Sequence, residues 1–219
     1  MKIDIWSDHV CPFCYIGKRR LEKALENTKL DEDVEIEYHS FELSPQSPKI
    51  STENIHQALA RKYGMSEEQA KSSNEQVGNM AREEGLNYDF DNMKYTNTFD
   101  AHRLCHLAKS QGKDKELIEL LMNHYFTKGS LISDHDILIT LAKKVGLEED
   151  QVRLVLETDR YAKEVREDEY LAQTHHIGGV PYFIIDDSYT ISGAQPLEVF
   201  TETLKKAGSS SKLPKLKLF

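Results

Sequence analysis

Apolar and polar positions alternate at the start of the chain. Ile3 and Ile5 fall on one face of residues 2–6, which predicts a short strand. From Tyr15 to about Glu26 the period lengthens: Ile16, Leu21, Ala24 and Leu25 form a helical stripe. Pro12 suits the first turn of that helix, where its missing N–H costs nothing. Val34, Ile36 and Tyr38 then alternate with Glu35, Glu37 and His39, the pattern of a half-buried second strand. Strand, helix, strand implies a parallel pair with the helix on one face.

Pro45 and Pro48 end this pattern, and from about residue 51 to 176 nearly everything is predicted helical. Ser66 to Gln69 has capping-box spacing. Residues 98–111 carry Ala101, Leu104, Cys105 and Ala108 on one face, and Leu117, Ile118, Leu120, Leu121 and Tyr125 make a further stripe. Asp134 and Asp136 open a helix that Gly146 closes. Residues 148–157 and 161–173 predict two more. After Gly178-Gly179 the period changes again. Tyr182-Phe183-Ile184-Ile185 is a continuous apolar run, a central strand buried on both faces. Asp186-Asp187-Ser188 is turn chemistry, Tyr189-Thr190-Ile191 completes a hairpin, and Pro196 to about Ala207 is an amphipathic helix. The order β-α-β, helical block, β-β-α lets one sheet collect four strands from the two ends. It divides the chain into a sheet domain of residues 1–44 and 177–208, a helical insertion of 45–176 and a tail of 209–219.

With 39% apolar and 30% charged residues in 219, the chain is ordinary for a folded protein and can bury a core without staples. Its net charge of −9 speaks against nucleic acid as a partner. No apolar run is long enough for a membrane helix, and the N-terminus lacks the pattern of a cleaved leader, so the expected location is the cytoplasm. Three Cys in such a compartment do not make a disulfide scaffold.

Two of those Cys form Cys11-Pro12-Phe13-Cys14, directly after a strand and at the start of a helix, a context in which C-x-x-C is redox-active. Cys11 at the helix N-terminus meets unpaired N–H groups and the positive end of the helix dipole, which favour a thiolate. Cys14 lies one turn on, within bridging reach. Such a pair attacks a disulfide with Cys11 and resolves the mixed disulfide with Cys14. Half of a zinc site, a structural disulfide and two inert thiols are the competing readings, and no second ligand pair with zinc-site order is present; no metal is expected. His9 is either an imidazolium that lowers the Cys11 pKa or an exposed loop residue. Phe13 offers an apolar surface beside the nucleophile. Trp6 and Cys105 fit the core better than the site. His102 and His106, one turn apart, could face a metal or substrate. His175-His176 fit a polar loop. Asp4, Asp8 and Glu37 are candidates for a carboxylate that helps deprotonate the resolving thiol. Gly179-Val180-Pro181 by itself fits a trans proline opening a strand.

Four separated motifs occur in order: Ser7-Asp8-x-x-Cys11-Pro12-x-Cys14-Tyr15-x-Gly17, Asn97-Thr98-x-x-Ala101-His102-Arg103, Gly179-Val180-Pro181-x-Phe183 and Ile191-Ser192-Gly193-Ala194-Gln195-Pro196. Together they resemble the DsbA-like family of the thioredoxin superfamily, its FrnE-type branch in particular, related to 2-hydroxychromene-2-carboxylate isomerases and kappa-class glutathione transferases. The resemblance covers the chain up to the tail. It implies an α/β thioredoxin fold with a large all-helical insertion, and thiol–disulfide oxidoreduction on protein or small thiol substrates. It implies Cys11 as the exposed nucleophile and Cys14 as the resolving thiol. Pro12, Phe13, Val180 and Pro181 would contact substrate, with Pro181 cis and the Val180 backbone pairing with an extended segment. Asn97, Thr98, His102 and Arg103 would brace the insertion. No dissociable cofactor is implied, glutathione would be at most a redox partner, and a homodimer is left open. In the related isomerases and transferases Ser commonly replaces the first Cys, so the retained pair favours disulfide exchange. A glutathione-dependent transferase or isomerase, and a chaperone-like binding module, are the alternatives.

Overall fold

The computed structural model describes residues 1–30 and 34–210. Residues 211–219 of the basic, apolar tail lie outside them. Strand β1 (Lys2–Ser7) leads through α1 (Pro12–Thr28) to β2 (Glu35–Ser40). Seven helices follow: α2 (Ile55–Tyr63), α3 (Glu67–Glu83), α4 (Phe99–Lys109), α5 (Asp114–Lys128), α6 (His135–Lys144), α7 (Glu149–Glu157) and α8 (Ala162–Thr174). Then β3 (Tyr182–Ile185), β4 (Tyr189–Ser192) and α9 (Leu197–Ser210) complete a thioredoxin-like fold. Sheet order is β2-β1-β3-β4, with β1 parallel to β2, antiparallel to β3, and β3 antiparallel to β4.

The β3–β4 hairpin closes through Asp186 and Asp187 at φ 48° and 54°, with the Ser188 N–H bonded to the Ile185 carbonyl at 3.1 Å. Positive φ at both turn residues matches the right-handed twist of the strands, and Asp tolerates it. One face of the sheet buries Ile3, Ile5, Phe183 and Ile185 against Leu21 and Leu25 of α1 and Phe200 and Leu204 of α9. The other buries Trp6 and Ile184 against Ala172 of α8 and Ile177. α1 therefore has two packed sides. Cys14, Tyr15 and Ile16 join the helical block, while Leu21, Ala24 and Leu25 join the sheet.

Gly17 lies where α1 passes closest to β3. A Cβ there would come within 3.1 Å of Pro181 Cγ and 3.2 Å of Phe183 Cζ, tighter than ordinary contact, so a side chain would crowd the strand. Ser66 and Gln69 form the expected capping box, and Asp134 caps α6 through its bonds to the Asp136 and Ile137 N–H groups. Two expectations need correction. The block 51–176 is interrupted between α3 and α4, where residues 85–98 run without helix and carry Tyr88, Phe90, Met93 and Tyr95 inward. Gly85 at φ 78° turns the chain out of the helix, and the Asp89 N–H bonds the Phe126 carbonyl at 2.7 Å instead of continuing a helical ladder. The last helix also extends past Ala207, through Ser210.

Candidate active site

Cys11 occupies the N-cap of α1 at φ −84° and ψ 112°, with Pro12 at the first helical position. Its N–H bonds the Asp8 carbonyl at 3.1 Å, and its own carbonyl receives the Cys14 N–H at 3.0 Å. These two bonds fix the turn that brings both thiols to the helix start. Neither cysteine is in a disulfide. The Cys11 thiol donates to the Val180 carbonyl at 3.4 Å, and the Val180–Pro181 peptide is cis. Strand β3 and its preceding turn thus face the helix N-terminus.

Cys11 is not exposed: only 3% of it is accessible, and Cys14 is buried at 2%. The correction has a physical cause. The insertion closes over the helix start, and the Tyr88 hydroxyl donates to the Pro12 carbonyl at 2.8 Å. What reaches Cys11 is a cavity of about 380 Å³, lined also by Pro12, Phe13 and Val180. Phe13 stays 38% exposed. Burial and the adjoining Cys11 thiol push the Cys14 pKa well up; the Ser7 hydroxyl and the Asp8 backbone N–H act against that shift. Ser7 acquires a place at the site that its spacing alone did not give.

His9 matches neither expectation. It is buried, and its ring packs on His102 with centroids 4.3 Å apart. Desolvation, then the charge of His102, depress its pKa well below the ordinary value, so it is neutral and not the imidazolium expected. Its Nε2 lies 3.6 Å from Cys105 Sγ, a thiol that burial holds protonated. Of the three candidate carboxylates, Asp8 is the one beside the thiols. Its Oδ2 accepts from the Leu43 N–H at 2.8 Å, and His102 Nε2 lies 3.4 Å from Oδ1. Asp4 and Glu37 belong elsewhere: their ligating atoms and those of His39 lie within 4.8 Å of one another, but Lys2 pairs with both carboxylates and Lys109 with Glu37. Protein cations thus fill the part a metal would play.

His102 and His106 face different partners. His102 turns to Asp8 and His9, while His106 Nε2 contacts Ser40 Oγ at 3.1 Å and Asp168 at 3.2 Å. Ser7, His9, Ser40, His102, Cys105 and His106 line a second, water-sized cavity of about 20 Å³ behind the thiol pair. Arg103, expected to brace the insertion, is buried. It pairs with Asp100 and donates to the carbonyls of Val155, Thr158 and Arg160, satisfying the C-terminal end of α7. Asn97 donates to the Ser47 carbonyl at 3.2 Å and accepts from the Phe99 N–H, joining the 45–47 turn to the start of α4. Trp6 is core, stacked on His39 at 4.4 Å with its N–H on the Asp168 carbonyl. His175 and His176 are exposed.

A DSBA-like thioredoxin domain model matches residues 2–205. The chain belongs to the DsbA-like thioredoxin family. The DsbA-like chain is 31% identical over 206 residues to the protein YwbO of Bacillus subtilis (strain 168), covering 92% of this chain and 94% of that one. The crystal structure of a probable DsbA oxidoreductase from Streptomyces coelicolor superimposes with a TM-score of 0.93 at 41% identity, over 100% of this chain and 94% of that chain. A 2-hydroxychromene-2-carboxylate isomerase shares the fold, with a TM-score of 0.73 at 14% identity over 96% and 98% of the two chains. Among the described residues of the DsbA-like chain, no helix is long and apolar enough to cross a membrane.

Proposed function

We propose that this protein is a thiol–disulfide oxidoreductase in which Cys11 is the nucleophile and Cys14 the resolving thiol. The observation that carries the reading is the shared placement of both thiols at the start of α1, with Cys11 facing a cavity and the Val180 carbonyl. The Cys11 thiolate attacks one sulfur of a substrate disulfide and releases the other as a thiol. Cys14 loses its proton and attacks Cys11 Sγ, releasing the second thiol and leaving an intramolecular disulfide. The raised Cys14 pKa keeps that group protonated while Cys11 reacts. Pro12, Phe13, Val180 and Pro181 form the substrate-facing rim. No dissociable cofactor is needed, and a thiol pool such as glutathione serves as redox partner.

The test is equilibration of the Cys11–Cys14 pair in glutathione redox buffers. A single reversible two-electron transition is expected, absent in Cys11→Ser; Cys14→Ser should instead accumulate a mixed disulfide. A potential near about −270 mV marks a reductant and one above about −200 mV an oxidant or isomerase. Absence of any reversible transition overturns the reading and favours a glutathione-dependent transferase or a holding module.

A further inference from the structure

The cavity beside Cys11 is not built like a cradle for a polypeptide or for a multiply charged thiol. Its walls are mostly apolar, with Leu59 from α2, Phe90 and Met93 from the 85–98 segment, Phe126 from α5, and Val180, interrupted by small polar groups such as Ser47, Asn74 and Thr98. Phe13, Leu43 and Tyr63, all on its lining, leave apolar surface exposed. At about 380 Å³ it is at the small end of ligand pockets. Two charged side chains line it, Asp8 and Lys62. Asp8 is buried next to the thiols, anchored by the Leu43 N–H and adjoining His102. Lys62 is an exposed ammonium that donates to Ser44 Oγ at 3.0 Å and has no carboxylate within ion-pairing distance among the described residues. A mostly apolar, partly open cavity, a nucleophilic sulfur on its wall and one unneutralised cation define a narrow class of occupant.

Building on the function proposed above, we infer that the substrate is a low-molecular-weight disulfide whose thiol half is apolar or aromatic and carries one carboxylate, which pairs with Lys62. The ring or alkyl body displaces water from the Leu59, Phe90 and Phe126 walls, and the reacting sulfur meets Cys11. One molecule of the disulfide takes two electrons from the Cys11–Cys14 dithiol. Its S–S bond breaks, both halves leave as thiols with the two protons of the cysteines, and the Cys11–Cys14 bond forms. Single turnover needs no further reductant. Oxidised glutathione, with several charges on each half, would bury charge against apolar walls with one cation to answer it.

The experiment mixes reduced protein with dithiodibenzoate, oxidised glutathione or cystamine under single-turnover conditions. Each rate constant is divided by that of the same disulfide with a free thiol, which removes intrinsic reactivity. Dithiodibenzoate should lead the other two by about tenfold or more, the scale of burying one aromatic ring. Lys62→Gln, an exposed change that leaves the packing intact, should lower the dithiodibenzoate value about threefold and raise that of the cationic cystamine. Equal normalised rates for oxidised glutathione and dithiodibenzoate, a faster reaction with an unfolded protein disulfide, or a Lys62→Gln profile identical to wild type would each overturn the substrate assignment while leaving the oxidoreductase reading in place. Failure of every disulfide to oxidise the pair would instead strike the oxidoreductase reading itself.

Discussion

Two histidines on this chain, His9 and His39, are drawn in opposite directions by their surroundings. His9 has lost its water, faces His102 and gains no carboxylate of its own, so its pKa falls well below the ordinary value. The proton therefore binds the unfolded chain more tightly than the folded one, and this group removes stability as pH falls below about 6.5. An NMR titration of the His side chains checks it. His9 should remain neutral well below the ordinary imidazole value of about 6.5, and a His9 midpoint at or above 6.5 would refute the buried neutral assignment. The residue's number gave a ring two positions from Cys11; nothing along the chain showed that α4 would put His102 against it. Cys11 carries the same lesson. Its motif and its place at a helix start are local and were legible, whereas its 3% exposure depends on residues 88 and 180, far away in the chain.

Helix pairs are joined by single polar side chains that reach across long sequence separations. Arg103 on α4 holds the carbonyl end of α7 and is itself fixed by Asp100, whose pKa is lowered to about 2 despite its burial. Arg103→Ala would leave Asp100 and three carbonyls short of a donor. A loss of about 3 kcal/mol or more is expected, read as a fall in Tm of about 6 °C or more; a change below about 1 kcal/mol would mean that water replaces the guanidinium without loss. His39 does for β2 and α8 what Arg103 does for α4 and α7. Its ring is held between Asp4 and Asp168 at 2.8 Å each. Burial opposes the charged form, but the hydrogen bonds to Asp168 and Asp4 outweigh it and raise the His39 pKa. The resulting stability is present below about pH 6.5 and lost as pH rises through the raised value. Urea unfolding of wild type and His39→Gln over a pH series should give a stability gap that is widest at the acid end and narrows upward; a gap independent of pH would exclude a charged His39. Neither device was visible in the sequence. His39 looked like one polar step in a strand, and the partners that Arg103 would brace were not named by its motif, because Asp168 lies 129 positions from His39 and the carbonyls at the end of α7 lie 52 to 57 positions from Arg103.

Across the whole molecule, the interleaved order β-α-β, helices, β-β-α was readable because each element carries its own period and its own stop signal. The cavity was not, because its walls come from β3's approach, α2, α5 and the aperiodic 85–98 segment, a stretch whose aromatic residues have no shared face until the chain is folded. The same assembly is unevenly held. α4 buries eight of its eleven residues, whereas α2 buries His56 and Ala58 among nine, and α3 buries four among seventeen. Opening α2 and the start of α3 exposes little apolar surface and breaks backbone bonds already close to water, so this hairpin should be the least stable unit of the fold. It also carries Leu59, Lys62 and Tyr63 on the cavity wall. Local opening there would widen the approach to Cys11, and anything bound inside must slow it by mass action. Hydrogen exchange should show the amides of α2 and the first turns of α3 exchanging ahead of β1, β3 and α4. They should be selectively protected when the cavity is occupied by a non-reducible analogue of the apolar carboxylate. If α2 exchanges as slowly as α4, entry must run past Phe13 and Val180 instead, and the cavity is a rigid chamber with its door on the sheet side.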